Sequence, residues 1–187
     1  MQFSIIIPAY NAENHIEKAL ESIKQQTFLD YELIVVCDSC TDRTEEIAKS
    51  YGATTYVVNF GLDGLTRNVG IDHAVGERLL FMDDDDWWLH EYVLEQLAER
   101  VGDEDVLRFS FIWKGVKYAR CDNYIAVWNK CWRRSFVGNT RFSDKKYWSD
   151  VDFHNAMMAK NPYILDWDMP MYYYNYMREG SISWLNT

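Results

Sequence analysis

In the first 82 residues short apolar runs alternate with stretches of helical periodicity, and a chain built this way folds as a parallel sheet whose crossovers are helices. Phe3, Ser4, Ile5, Ile6 and Ile7 form an apolar, β-branched run closed by Pro8, where a buried strand is expected to stop. Ile16, Ala19, Leu20 and Ile23 then recur at i, i+3, i+4 and i+7, with Glu13, Glu17, Glu21 and Lys24 off the stripe, which predicts a helix with one buried face. Leu33–Val36 reads as a second strand. The helix after it runs from about Asp42 to Tyr51, with Thr41 and Asp42 available to cap its free N–H groups and Gly52 to end it. Thr55–Val58 gives a third strand, Leu65–Val75 a third helix stopped by Gly76, and Leu79–Met82 a fourth strand.

Beyond Asp86 the pattern changes. One more helix, about His90 to Val101, precedes a run of period two in which Leu107, Phe109, Phe111 and Trp113 share one face and Val106, Arg108, Ser110 and Ile112 the other. Lys114 and Gly115 read as a turn. Val116–Arg120 and Ile125–Trp132 are expected to continue as antiparallel strands, followed by a helix at about Asp150–Lys160 and strands at Tyr163–Trp167 and Met171–Tyr176. The 187 residues are 48% hydrophobic with 9 Gly and 3 Pro, and no linker or repeat interrupts them, so a single domain is expected. No signal peptide and no apolar run of membrane-spanning length is read. Four cysteines, at 37, 40, 121 and 131, are too few for a disulfide scaffold and suit reduced thiols in a cytoplasm.

In an open parallel sheet, ligands bind beyond the carboxyl ends of the strands. The residues that follow the predicted strands are Pro8, Ala9, Tyr10 and Asn11; Cys37, Asp38, Ser39 and Cys40; and Asp83, Asp84, Asp85 and Asp86. Four consecutive aspartates behind a buried strand repel one another, and a divalent cation relieves the repulsion. Hard oxygen ligands favour Mg²⁺ or Mn²⁺, held by one or two carboxylates and completed by water and substrate phosphates. The competing reading is an acidic loop that simply solvates. Arg67, early in the third helix, brings a cation to a place where free N–H groups also favour anions.

The net charge of −10 argues against nucleic acid as a partner. It is unevenly spread: −15 over residues 1–105, +8 over 106–148 and −3 over 149–187. The basic middle, with Trp113, Tyr118, Trp128, Trp132 and Phe142 among its cations, suits an anionic acceptor or peripheral contact with the inner face of a membrane. A solvated face balancing the acidic half explains it equally well.

Ser4–Asn11, Asp38–Asp42, Thr66–Ile71 and Gly76–Asp86, in that order and spacing, resemble the motifs of family 2 glycosyltransferases of the GT-A fold. Asp150–Phe153 is similar to that family's late acidic motif, and Pro170–Tyr174 with Gly180–Ser183 to its closing segment, so the resemblance covers nearly the whole chain. It implies an α/β GT-A fold, a mixed and mainly parallel sheet flanked by helices. The single domain 1–187 then divides into a nucleotide-sugar-binding half, 1–105, and an acceptor-side half, 106–187, with the acceptor site built from the latter or completed by another subunit of a homo-oligomer.

The resemblance further implies an inverting, metal-assisted transfer of a sugar, from a UDP-sugar by preference, to a saccharide or glycolipid hydroxyl, as in polysaccharide biosynthesis. By position, Pro8, Tyr10 and Asp38 would meet the nucleoside, with Asn11 supporting that loop and Arg67 facing the diphosphate. Asp83 and Asp85 would form the DxD metal motif, Asp84 would lie toward the nucleotide-sugar, Asp86 would meet the sugar, and Asp150 would be the general base. Two positions depart from the pattern. Cys37 stands where relatives often have a second acid, and Ser149 where Glu commonly precedes the base, with Asp152 as the fallback.

Other readings compete. Cys37-x-x-Cys40 between a strand and a helix is a redox motif in some proteins, and a catalytically inactive sugar-binding module would keep the same strand ends. The four histidines show no metal-ligand spacing, and only His154, near Asp150, is placed to reach a metal or acceptor. Trp87 and Trp88 either stack on a sugar or fill the core beneath the acidic loop, and the tyrosines at 172, 173, 174 and 176 should alternate between core and rim.

Overall fold

A computed structural model describes residues 1–118 and 125–175. The first half alternates as expected: β1 (Phe3–Ala9), α1 (Ile16–Lys24), β2 (Tyr31–Asp38), α2 (Thr44–Ser50), β3 (Thr54–Val58), α3 (Asp63–His73) and β4 (Arg78–Phe81). β1 pairs in parallel with β2 and β4, and β2 with β3. The remainder comprises β5 (Trp87–Trp88), α4 (Val93–Arg100), β6 (Val106–Trp113), β7 (Val116–Tyr118), β8 (Lys130–Arg133), α5 (Arg134–Val137), α6 (Ser149–Met158) and β9 (Ile164–Tyr174). Among the described residues all nine strands join one mixed sheet in the order β3-β2-β1-β4-β8-β6-β9-β5, with β7 on the side of β6.

Period-two alternation in the central strands feeds two cores. Ile5, Ile7, Val35, Leu80, Leu107 and Phe109 face the buried stripes of α1 and α4, including Ile16, Leu20, Val93 and Leu97. Ile6, Ile34, Val36, Leu79, Phe81 and Val106 face Ile71 of α3 and Phe153 and Met157 of α6. The sheet is therefore covered on both sides, which is why its central parallel strands are mostly apolar, whereas the edge strand β3 is only half-buried. Among the described residues no helix is long and apolar enough to cross a membrane.

Several boundaries differ from the sequence reading, each for a physical reason. Pro8 lies inside β1, opposite Val36, instead of ending it. β4 pairs with β1 only as far as Ile6↔Phe81, so at Pro8 the strand has a partner on one side only and the missing N–H costs no ladder bond. The strand expected over Ile125–Trp132 forms only at Lys130–Arg133, and Ala126, Val127 and Trp128 are buried as side chains without a ladder. The two strands expected near the C-terminus are one, β9, whose register against β6 slips between Phe109↔Trp167 and Ser110↔Pro170 and again before Phe111↔Tyr172. Pro170 cannot donate to the ladder, and a bulge absorbs it. The Lys114–Gly115 turn is present, with φ of 47° and 74°, the two positive values a tight hairpin requires. Ala119, Arg120, Tyr176 and the 180–183 segment lie outside the described residues.

Candidate active site

The loops leaving β1, β2 and β4 meet at one rim. Tyr10 is 64% exposed, and its N–H donates to Asp84 Oδ2 at 3.3 Å. Asn11 takes a positive φ of 46°, and its Oδ1 accepts from the N–H of Thr41 at 2.8 Å, tying the first loop to the second. Cys40 belongs to the same tie: its Sγ lies 3.4 Å from the Asn11 N–H and 3.4 Å from the Ala9 carbonyl. Cys37, Cys40 and Cys131 are free thiols, so the Cys-x-x-Cys pair is not a disulfide here.

Asp38 is buried, and its carboxylate is already fully employed. It accepts from the N–H groups of Phe60 (2.8 Å), Gly61 (3.0 Å) and Leu62 (3.1 Å) and from the hydroxyls of Thr66 (2.7 Å) and Ser39 (2.9 Å). Burial alone would raise its pKa, but these bonds, that from Gly61 foremost, hold it below the ordinary carboxylate value. Asp38, expected at the nucleoside, thus anchors the loop that leads into α3, the helix that carries Arg67.

Arg67 is buried against the rim. Nη2 donates to Asp83 Oδ1 at 2.6 Å, Nη1 pairs with Asp63 one turn earlier, and the guanidinium lies 5.7 Å from the centre of the Phe142 ring. Burial opposes its charge, yet the fields of Asp63, Asp83 and Asp150 more than restore it and raise its pKa. Its Nε is buried with no hydrogen-bond partner among the described residues. Asp83 is pushed up to about 7 by burial and by the negative fields of Asp63 and Asp85, with Arg67 pulling the other way.

The four aspartates therefore do different things. Asp83 pairs with Arg67. Asp84 holds the Tyr10 N–H and lies 3.2 Å from His15 Nε2, a neighbour the sequence reading missed. Asp85 is half-buried, and its charge acts on both Asp83 and Asp86. Asp86, expected to meet the sugar, is fully buried and faces the protein: it accepts from the Tyr172 hydroxyl at 2.6 Å and the Asn175 N–H at 2.7 Å. Among the described residues no three acidic, histidine or cysteine side chains converge as a ready cation cage. Asp83 and Asp85, mutually repelling hard-oxygen donors, fit a Mg²⁺ or Mn²⁺ ion of the kind that completes its shell with phosphates and water.

Asp150 arrives from the far end of the chain. It occupies the first turn of α6, whose start abuts the first turn of α3. A Cβ on Gly64 would come 2.7 Å from the Ser143 carbonyl oxygen and 2.8 Å from Ser149 Cβ, so only glycine permits this approach. The contact brings half-buried Asp150 into the field of Arg67 and of the buried Lys130. It also packs the small Ser149 against a backbone with no room to spare. Asp152, the fallback base, is engaged elsewhere, by Ser143 Oγ at 2.7 Å and Lys145 Nζ at 2.8 Å, and these bonds lower its pKa. His154 is buried and pushed down to about 4, first by burial and then by Lys130 and Arg108, so it is neutral at physiological pH. Trp148, which precedes α6, holds a φ of 69° and is 70% exposed beside this site.

The basic middle segment is spent largely on the fold. Arg108 grips Asp166 through two bonds of 2.6 and 2.9 Å, and Arg133 donates to the Glu104 carbonyl at 2.7 Å. Arg134 donates to the Gly76 carbonyl at 2.6 Å, and Arg141 to Asp72 at 2.7 Å. Trp88 is core, and Trp87 stacks on Tyr173 at 4.1 Å beneath Lys18.

The model of glycosyl transferase family 2 matches residues 4–164. This chain belongs to that family. GlyA of Streptococcus pneumoniae, a glycosyltransferase, is 36% identical over 106 residues, 54% of this chain and 15% of GlyA. TarS of Staphylococcus aureus, a poly(ribitol-phosphate) β-N-acetylglucosaminyltransferase, is 38% identical over 95 residues, 46% of this chain and 17% of TarS. The match thus spans under a fifth of either relative. The crystal structure of S. aureus TarS with UDP-GlcNAc superposes with a TM-score of 0.84 at 27% identity, covering 97% of this chain and 60% of that one. The family 2 chain shares with it the α/β GT-A architecture expected from the sequence.

Proposed function

We propose that this family 2 domain transfers a sugar from a UDP-sugar to a saccharide or glycolipid hydroxyl, with inversion at the anomeric carbon, Mn²⁺ or Mg²⁺ assistance and Asp150 as general base. The observation that carries the reading is the grouping of buried Arg67 with Asp83 and Asp150 at the carboxyl ends of the parallel strands. The choice of uridine is supported by S. aureus TarS, which has been crystallised with UDP and with UDP-GlcNAc.

In this reading the exposed Tyr10 ring is the platform for the base, with Pro8 and Asn11 shaping its loop, and Asp38 holds the loop that delivers Arg67. Arg67 faces the diphosphate, where its unpartnered Nε is a donor in waiting. Asp83 and Asp85 would hold the cation, with Asp84 beside them on the nucleotide side. When bound, that ion supplies Lewis-acid stabilisation of the leaving diphosphate. Asp150 takes the proton of the acceptor hydroxyl as its oxygen attacks from the face opposite the leaving group, which is what inverts the centre. Arg108, Arg134 and Arg141 of the basic segment are committed to the fold, which supports an acceptor saccharide over a lipid face as this half's partner.

The testing experiment is thermal-shift binding of UDP, GDP, CDP and dTDP with and without Mn²⁺. UDP should stabilise the protein in a Mn²⁺-dependent manner, and Asp85→Ala should remove that dependence. Equal UDP stabilisation with and without Mn²⁺ would refute the cation's role, and Mn²⁺-dependent binding without transfer to any acceptor would return the domain to the binding-module reading. Gly64→Ala should cost transfer more than binding. The added methyl must push α6 away, and a displacement on the order of 1 Å at a catalytic group costs about 100-fold. Wild-type turnover in that variant would separate Asp150's position from the α3–α6 contact.

A further inference from the structure

The acidic loop behind β4 is held from the opposite end of the chain. The Tyr172 hydroxyl accepts from the Asp83 N–H at 3.1 Å and donates to Asp86 Oδ2 at 2.6 Å, so one oxygen spans the first and last aspartates of the run. The turn between them closes through the Asp86 N–H on the Asp83 carbonyl at 3.2 Å. Around this brace β9 adds three more ties: the Asn175 N–H to Asp86 Oδ1 at 2.7 Å, the Leu89 N–H to the Met171 carbonyl at 3.0 Å, and the pairing of Trp87 and Trp88 with Tyr173 and Tyr172. The Tyr172 ring has a separate job, lying fully buried and stacked on Trp128 at 4.7 Å and 9°.

We infer that the Tyr172 hydroxyl, with the Asn175 N–H, is a positioning device that sets the shape of the Asp83–Asp86 loop before donor and cation arrive. The inference rests on the donor-site reading above and extends it to residues of the closing strand. Four neighbouring carboxylates would otherwise spread apart, and a cation would have to gather them at the moment of binding. With Asp83 and Asp86 pinned to one oxygen, and Asp84 occupied by the Tyr10 N–H, the loop meets its ligand already folded. Outer-shell partners of this kind orient the groups that touch a metal without touching it themselves.

Ring and hydroxyl can be separated by mutation. Tyr172→Phe keeps the stack on Trp128 and deletes only the brace. The Mn²⁺ concentration giving half-maximal UDP stabilisation should rise about tenfold, the lower end of what losing an outer-shell partner costs. At saturating Mn²⁺ transfer should recover toward the wild-type rate, whereas a general loss of structure would depress it at every concentration. Asn175→Pro removes the other donor to Asp86 without disturbing the core, and should shift the half-saturation in the same direction even if Tyr172→Phe folds poorly. Tyr173→Phe, on the neighbouring ring that stacks on Trp87, should leave it unchanged. Wild-type half-saturation in both Tyr172→Phe and Asn175→Pro would overturn the inference alone. Absence of Mn²⁺-dependent UDP binding in the wild-type protein would overturn the donor-site reading, and this inference with it.

Discussion

Asp150→Asn is expected to leave UDP binding intact and to reduce sugar transfer by at least ~100-fold, the lower end for removing a general base. The side chain sits in the first turn of α6, half-buried, in the fields of Arg67 and Lys130. Asparagine matches its shape and keeps its hydrogen-bonding reach, so the fold and the α3–α6 contact should survive while the ability to take a proton is lost. Comparing steady-state transfer with UDP thermal shift on the same preparation separates the two effects. Asp152 lies two residues on but is a poor substitute, because Ser143 and Lys145 already occupy its oxygens and any proton transfer to it must break those bonds. Retained turnover in Asp150→Asn would make Asp152 the next residue to change. Loss of UDP binding together with turnover would place Asp150 in the donor site and not on the acceptor side.

What could be read from the chain, and what could not, divides by the range of the interactions. The first four strands and three helices were legible because each is specified locally. Ile5, Ile6 and Ile7 alternate between two cores, and Ile16, Ala19, Leu20 and Ile23 form one stripe, whatever the distant sequence does. β5 is two residues long and exists through its pairing with Tyr172 and Tyr173, more than 80 positions away, so no local pattern announces it. The slip in β9 likewise arises from pairing with β6 and from Pro170, and β8 meets β6 only over Val106–Arg108 because β7 pairs with β6 further along, at Phe111–Trp113.

The site divides in the same way. That Asp38, Arg67 and Asp83–Asp86 collect at one rim follows from strand order and chain direction alone. The individual roles do not, because Asp83, Asp84, Asp85 and Asp86 look alike in sequence and are told apart by partners on other elements: Arg67, Tyr10, and Tyr172 with Asn175. That the Asp38 carboxylate anchors the loop into α3 is not legible in the sequence, since the three N–H groups it holds lie more than 20 residues downstream.

The largest combined effect is expected at Arg67. Arg67→Gln leaves the partly exposed Asp63 and Asp83 without the buried counter-charge between them, and the loss of stability should fall short of the about 3–5 kcal/mol that breaking a fully buried ion pair costs. Chemical denaturation should register that loss, and transfer should fall to background because no fixed cation then meets the developing charge on the diphosphate. Stability and catalysis can be pulled apart with a second change. In Arg67→Gln/Asp83→Asn the Arg67–Asp83 pair is neutral and only the more exposed Asp63 keeps an uncompensated charge, so part of the lost stability should return, the pairwise coupling expected of residues in direct contact. Transfer should stay at background, since neither neutral side chain can do for a diphosphate or its cation what the charged pair does. A double variant that regained stability and turnover together would mean that Arg67 serves only to neutralise Asp83. The diphosphate would then have to be met by another cation, with buried Lys130, already within the field of Asp150, the first to test.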